Sequence, residues 1–372
     1  MNQVALELDT PAADAADRTG FDIGWDHAHH ALVPPPELLL DGTPICQGWM
    51  AGRAVFGRRT MASTRATRQW LLLRTRAWRE GVDCEAQQLT AHCVGQLHAT
   101  HCPVLRTALG GAATQPDAAL IERLNPAAAY AAGNLATLSQ RAAQAWRSLD
   151  WRQLVRRAHD AADVKAAADV NAAGPATPSA LSAAAWWRLA ALRSYATPLL
   201  FAEAATLPLA VLPPKRARLL NAPQGLQALV TLLFTTPGWA ARCARLAAML
   251  PQPALRHDFN LFVGAIAPRV LEAGADPRTL HRALEDAWLL ERVRRRWQHF
   301  VFSLGEAGTE QLLARATADG LAVKRTLSHA PEQAVEGWGL PDTGALLRVN
   351  TRARPLPASG RQRPPRTAQP RC

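Results

Sequence analysis

The sequence predicts a mainly α protein in which one small ββα module precedes a larger all-α region. Three observations lead there. Beyond residue 179 the apolar residues recur at helical spacing, as when Leu290, Val293, Trp297, Val301 and Leu304 fall on one face. A β-hairpin is expected in one place only, with strands near Ala118–Leu124 and Leu135–Leu138. The chain of 372 residues, 48% apolar and 19% charged, is long enough for two or more domains and a well-buried core.

Taken in order, residues 1–20 are rich in Ala and Asp and read as a disordered N-terminus. Residues 21–100 form an N-terminal region that begins irregularly. Its first part, up to residue 57, holds Pro34-Pro35-Pro36, Asp41-Gly42 and Gly48, which read as turns and breaks. A helix is expected over 62–80. At about 100° per residue, Arg65, Arg68, Arg76 and Arg79 share about 80° of arc, while Trp70, Leu73 and Ala77 point the other way. A second helix is expected over 85–100. The ββα module covers 101–162, with its helix over 140–162, and residues 163–178 read as an Ala/Gly/Pro linker. The helical domain spans 179–345. Ser179 is placed as the cap of a helix through Tyr195, and Gly274 ends one helix before Asp276-Pro277 starts the next. Residues 346–372 form an Arg/Pro-rich tail expected to be disordered.

The net charge of +12 is concentrated in two stretches. Seven arginines and no acid follow Asp342, and eight arginines and no acid lie between Arg53 and Arg79; the remainder is slightly acidic. Such clustering suits a polyanionic partner. Of the 42 basic residues only three are lysines. Guanidinium forks match phosphate oxygens bidentately, although a G+C-rich coding bias accounts for the preference equally well. Six scattered cysteines read as reduced thiols, no signal peptide is visible, and the most apolar windows are too short or too broken to span a membrane. A cytoplasmic protein without membrane association is expected.

The chemistry-bearing stretch runs from Glu122 to Trp146. An acid, a bulky residue, an apolar residue, a spacer and a proline (Glu122, Arg123, Leu124, Asn125, Pro126) precede Tyr130-Ala131-Ala132-Gly133-Asn134 and an Ala-rich helical pattern. Over about residues 102 to 146 this resembles the HNH, or His-Me finger, endonucleases. The likeness is to degenerate phage-type members that lack the motif histidine. The resemblance implies a hairpin and helix that clamp one divalent metal. The position matching Arg123 is there the general base, a role closed to a group with a pKa above about 12. The position matching Ala143 is there a metal ligand. Glu122 keeps the acidic position and Asn134 is retained. Of the family's four structural-zinc cysteines, Cys102 remains, while Leu105, Ser139 and Ala142 take the other positions.

Other constellations are weaker. Asp26-His27-Ala28-His29-His30 reads as surface or packing histidines in an extended segment. On a helix, His98, His101 and Cys102 would share a face, which with Glu122 makes them the candidates for metal ligation; a fourth ligand is not obvious. Of the twelve tryptophans, Trp288 and Trp297 are placed in the core.

The expected function is nucleic-acid binding, with DNA favoured, by a non-catalytic HNH-like module. Arg65, Arg68, Arg76, Arg79, Arg123 and Arg141 would touch phosphate, and no cofactor is expected. The alternative is an active endonuclease using Glu122, His101 and Asn134 with Mg²⁺ or Mn²⁺. A third reading makes the helical domain a scaffold for a protein partner.

Overall fold

The computed structural model describes residues 11–112, 114–170, 181–274, 276–321 and 331–340. The described residues are mainly helical, with a single two-stranded antiparallel sheet.

The N-terminal region overturns the reading of irregular structure. Helix α1 (Pro11–His29) packs side by side and parallel with α2 (Pro44–Phe56), Gly20 lying by Pro44 and His29 by Phe56, so residues 11–20 are helical as well. Gly48, which reads as a break, is a contact point, as is Gly24, while Gly42 does lie in a turn. A Cβ on Gly48 would lie 1.9 Å from the Phe21 carbonyl oxygen, and one on Gly24 would lie 2.0 Å from that of Ile45. The two backbones approach so closely that only glycine fits. The Asp26–His30 cluster is therefore helical through His29, with His30 in the turn that follows: His27 is buried with Nδ1 2.8 Å from the Ile23 carbonyl, and Asp26 pairs with Arg74.

Helix α3 (Arg65–Arg79) starts at the Thr64 cap, close to expectation, and buries Leu73 and Ala77 with half-buried Trp70 packed against them. Helix α4 (Ala91–Gln96) is much shorter than the predicted 85–100. Strands β1 (Ala119–Arg123) and β2 (Leu135–Ser139) pair with Glu122 opposite Ala136.

The predicted 140–162 helix is two helices, α5 (Gln140–Trp146) and α6 (Trp151–Val170). Asp150 restarts the helix: its carboxylate accepts from the Gln153 amide and the Gln153 side chain accepts from the Asp150 amide, each at 2.8 Å. Since α6 reaches Val170, the first half of the expected linker is helical; the rest lies outside the described residues.

Helices α7 (Ala183–Tyr195), α8 (Phe201–Thr206), α9 (Ala222–Phe234), α10 (Trp239–Ala248), α11 (Pro253–Ala273), α12 (Pro277–Ala287) and α13 (Glu291–Ala318) build the helical region. Ser182 caps α7 in place of Ser179, which lies outside the described residues. Asp276 caps α12 and Gly274 follows α11, as the sequence predicts. Trp288, Trp297, Phe262 and Phe300 cluster at its centre, with Val293 and Val301 buried beside them.

The hairpin module does not stand apart. Leu124, Leu138, Ala142, Ala143 and Trp146 share one continuous apolar core with α7, α9 and α11–α13. A short helix α14 (Pro331–Ala334) leads to Trp338, which is buried against the hairpin loop. The Ala129 amide donates to the Trp338 carbonyl and the Trp338 indole donates to the Ala132 carbonyl. The Arg/Pro-rich tail lies outside the described residues.

Candidate functional site

The loop between the strands is held by the motif asparagine. Asn134 is fully buried; its Oδ1 accepts from the Asn125 amide at 2.7 Å and its Nδ2 donates to the Asn125 and Ala129 carbonyls, each at 3.0 Å. Gly133 precedes it with φ of +90°, and a Cβ there would lie 2.5 Å from the side chain of Arg218. The Gly-Asn element thus sets the loop's shape. With both ends of its amide committed to backbone, Asn134 is a structural residue and does not face a reacting group.

Glu122, on β1, is buried between α3 and the C-terminal end of α5. Its Oε1 accepts from Arg76 Nη2 at 2.9 Å and from Arg147 Nη2 at 3.1 Å. Arg76 also donates from Nε to Glu80 Oε1 at 2.8 Å, and the Tyr130 hydroxyl donates to Glu80 Oε2 at 2.9 Å. Burial opposes ionisation of Glu80, but the hydrogen bonds from Arg76 and Tyr130 outweigh it and hold its carboxyl below the usual range. Burial also dominates at Tyr130, whose phenol is pushed up well beyond its ordinary value.

Arg123 folds back onto its own loop. Its Nη1 donates to the Pro126 and Ala128 carbonyls, each at 2.8 Å, and its guanidinium lies 4.8 Å from the Tyr130 ring centroid. Arg193, from α7, reaches the same place from below. It donates to the carbonyls of Leu124 and Trp146, each at 2.8 Å, and stacks 4.2 Å from the Trp146 ring centroid. Burial lowers its pKa to about 10, so it remains charged at neutral pH. Nothing in the local sequence marks Arg193 as part of this site, because it arrives from about 70 residues away.

Together Arg76, Glu80, Glu122, Arg123, Pro126, Tyr130, Trp146, Arg147 and Arg193 line a small cavity of about 120 Å³. Four guanidiniums face two carboxylates. No histidine is among these residues, so an imidazole does not stand beside Glu122.

His101 pairs with Ala108 in an isolated bridge, and its ring contacts the Thr100 hydroxyl. It lines a different and larger cavity that shares no residue with the first. Because α4 stops at Gln96, the predicted helical face of His98, His101 and Cys102 does not form. Among the described residues no group of three or more His, Cys, Asp or Glu is arranged to hold a metal. A catalytic divalent ion does not fit the donor set at Glu122: two guanidiniums occupy one carboxylate oxygen, Asn134 is turned into the loop, and Ala143 is a methyl in the core.

The four positions to which the resemblance assigns a structural zinc lie close to one another. Cys102 Sγ accepts from the Leu105 amide at 3.5 Å and from the Ser139 amide and hydroxyl at 3.4 and 3.3 Å; the Ser139 hydroxyl in turn accepts from the Ala142 amide at 3.4 Å. A thiol–hydroxyl node ties the turn after Thr100 to the N-terminus of α5.

Of the other predicted contact residues, Arg65, Arg68 and Arg79 are exposed on α3, with Arg79 paired to Glu37. Arg76 is turned inward to Glu122, so the expected basic ridge is split. Arg141 is half-buried in the first turn of α5 and does not line the cavity. No helix among the described residues is long and apolar enough to cross a membrane. Comparison of the chain with family models, curated proteins and solved structures finds no match.

Proposed function

We propose that this protein binds nucleic acid, with duplex DNA the favoured partner, through a degenerate HNH-like module that no longer cuts. The observation that carries the reading is the convergence of Arg76, Arg123, Arg147 and Arg193 on a cavity large enough for one phosphate group, where the family's metal and base would sit. The zinc-position node of Cys102, Leu105, Ser139 and Ala142 supports the module's ancestry, since the geometry survives where the ligands have gone.

Arg147 is the residue that would reach the backbone. Its side chain is 57% exposed and its ion pair with Glu122 is made through Nη2. A phosphate oxygen could exchange for the carboxylate without unfolding anything. Arg123 and Arg193 set the positive potential from behind, being occupied with loop carbonyls. Arg65 and Arg68 on the exposed side of α3 would extend the contact along the strand.

The test is fluorescence anisotropy with a duplex oligonucleotide across a salt series. Affinity should fall linearly on logarithmic axes, and Arg147→Ala should weaken binding and reduce the slope by about 1. Binding that ignores salt, or an Arg147→Ala protein with wild-type affinity and slope, would remove this site from the account. A plasmid-nicking assay with Mg²⁺ or Mn²⁺ should show no turnover.

A further inference from the structure

The larger cavity, about 630 Å³, lies between the hairpin module and the helical region and is used by nothing described so far. Thr137, on the opposite face of β2 from the Glu122 side, forms part of its wall, with its hydroxyl donating to the Leu97 carbonyl at 2.7 Å. Its volume falls within the usual range for small-molecule sites.

Its lining divides by chemistry. One part is basic: Arg278, His281 and Arg282 lie at i, i+3 and i+4 along α12, and Lys215 joins them from the segment after Val211. Lys215 and Arg278 are exposed, and Lys215, Arg278 and Arg282 form no ion pair among the described residues. The nearby acid Asp276 is committed to the Thr279 amide and hydroxyl. The other part is largely apolar and carries two imidazoles: Leu97, Pro103, Val211 and Pro213 alongside His98 and His101.

The one carboxylate in the wall is already spoken for. Glu285 is buried; it accepts from the Leu212 amide at 2.9 Å and from Arg106 Nη2 at 3.3 Å. It therefore contributes little repulsion to an incoming anion. Cations without carboxylate partners beside a stacking surface match a ligand with a phosphate at one end and a planar ring at the other.

We propose that this cavity binds a phosphorylated nucleoside, with the phosphate on Lys215 and Arg278 and the base against the proline and imidazole wall. The same chemistry is presented by a free mononucleotide and by the phosphorylated 5′ end of a strand. The site shares no residue with the Glu122 cavity, so it stands or falls independently of duplex binding there.

The experiment is isothermal titration calorimetry on the full chain with adenosine and cytidine 5′-monophosphates, inorganic phosphate, and a short oligonucleotide with and without a 5′-phosphate. A mononucleotide should bind at least tenfold more tightly than inorganic phosphate. Lys215→Glu/Arg278→Glu should lose at least tenfold in affinity with an unchanged melting temperature, since both side chains are exposed. His98→Ala should weaken the nucleotide and leave phosphate binding unchanged. Preference for the 5′-phosphorylated oligonucleotide over free nucleotides would identify the strand end as the source. No binding at millimolar nucleotide, equal affinity for phosphate alone, or indifference to the double charge reversal would each overturn the proposal.

Discussion

Two arginine–carboxylate networks bracket the hairpin module, and they are built to different ends. At the Glu122 cavity four guanidiniums meet two carboxylates near solvent, and Arg147 is largely exposed. At the junction with α12, Arg106 and Arg188 meet Glu285 and Asp286 in equal number. There Arg188 is only 7% exposed and donates to the Val104 carbonyl at 2.9 Å as well as to Asp286 Oδ1 at 2.9 Å. Arg106 adopts a left-handed backbone at φ of +63°, a strained position for a residue with a side chain, and its guanidinium donates four hydrogen bonds to α12. Balanced and buried charge serves as a tie between segments. A local excess of charge at a surface leaves something for a partner to neutralise.

The largest effect should follow from breaking the tie. Asp286→Ala removes the shared partner of Arg106 and Arg188 and leaves the Arg188 guanidinium buried with a backbone carbonyl alone. Losing one member of a buried pair costs roughly 3–5 kcal/mol, and the half-exposure of Asp286 places this case near the lower end, about 3 kcal/mol. Urea denaturation would measure it. Duplex affinity at a temperature where both proteins are folded should not change; a matching loss of affinity would mean the two networks are one.

Next comes the pH dependence of the same junction, where the two acids pull in opposite directions. Burial raises the pKa of Glu285, outweighing the Leu212 amide and the two arginines. Its contribution is therefore present below the ordinary carboxylate value and is lost as pH rises through the raised one. At Asp286 burial is outweighed by hydrogen bonds from Arg106 and Arg188, so the pKa falls. That contribution is present above the ordinary value and is lost as pH falls through the lowered one. The melting temperature of Glu285→Gln relative to wild type should rise steadily from about pH 4 towards neutrality. A difference that is flat or falling over that window would reverse the assignment at Glu285.

The contrast between the networks also shows what a sequence reveals. The hairpin, the Asn134 loop and the Asp276 start of α12 were legible because each is set by residues within a few positions of one another. The α1–α2 pair is not legible because Gly24 and Gly48 act by contact with carbonyls across the pair, and a glycine read alone is a break. The Asp150-x-x-Gln153 restart is legible as a capping box, yet the helical pattern on either side of it reads as one element. Charge pattern points to Arg76 as a phosphate contact, and the HNH resemblance points to Arg123. The fold turns one towards Glu122 and the other onto its own loop, while Arg193 and Arg147 complete the cavity from elements that no local spacing connects.

The smallest effect on stability, and the sharpest on function, belongs to Arg147→Ala. An ion pair with one partner more than half exposed is worth about 0.5 kcal/mol, so the unfolding midpoint should barely move. Glu122 keeps Arg76 at 2.9 Å, so its buried carboxylate is not left without a counter-charge. Duplex affinity, in contrast, should fall about fivefold at low salt as one phosphate contact is lost, and the gap should narrow as salt rises. Glu122→Gln carries the opposite sign: with the competing carboxylate neutralised, Arg76 and Arg147 are freed, and duplex binding should tighten by a factor of about three. If Glu122→Gln weakened binding instead, Glu122 would be orienting the arginines for the partner, and the cavity would be a preformed grip where a competing internal anion is now assigned.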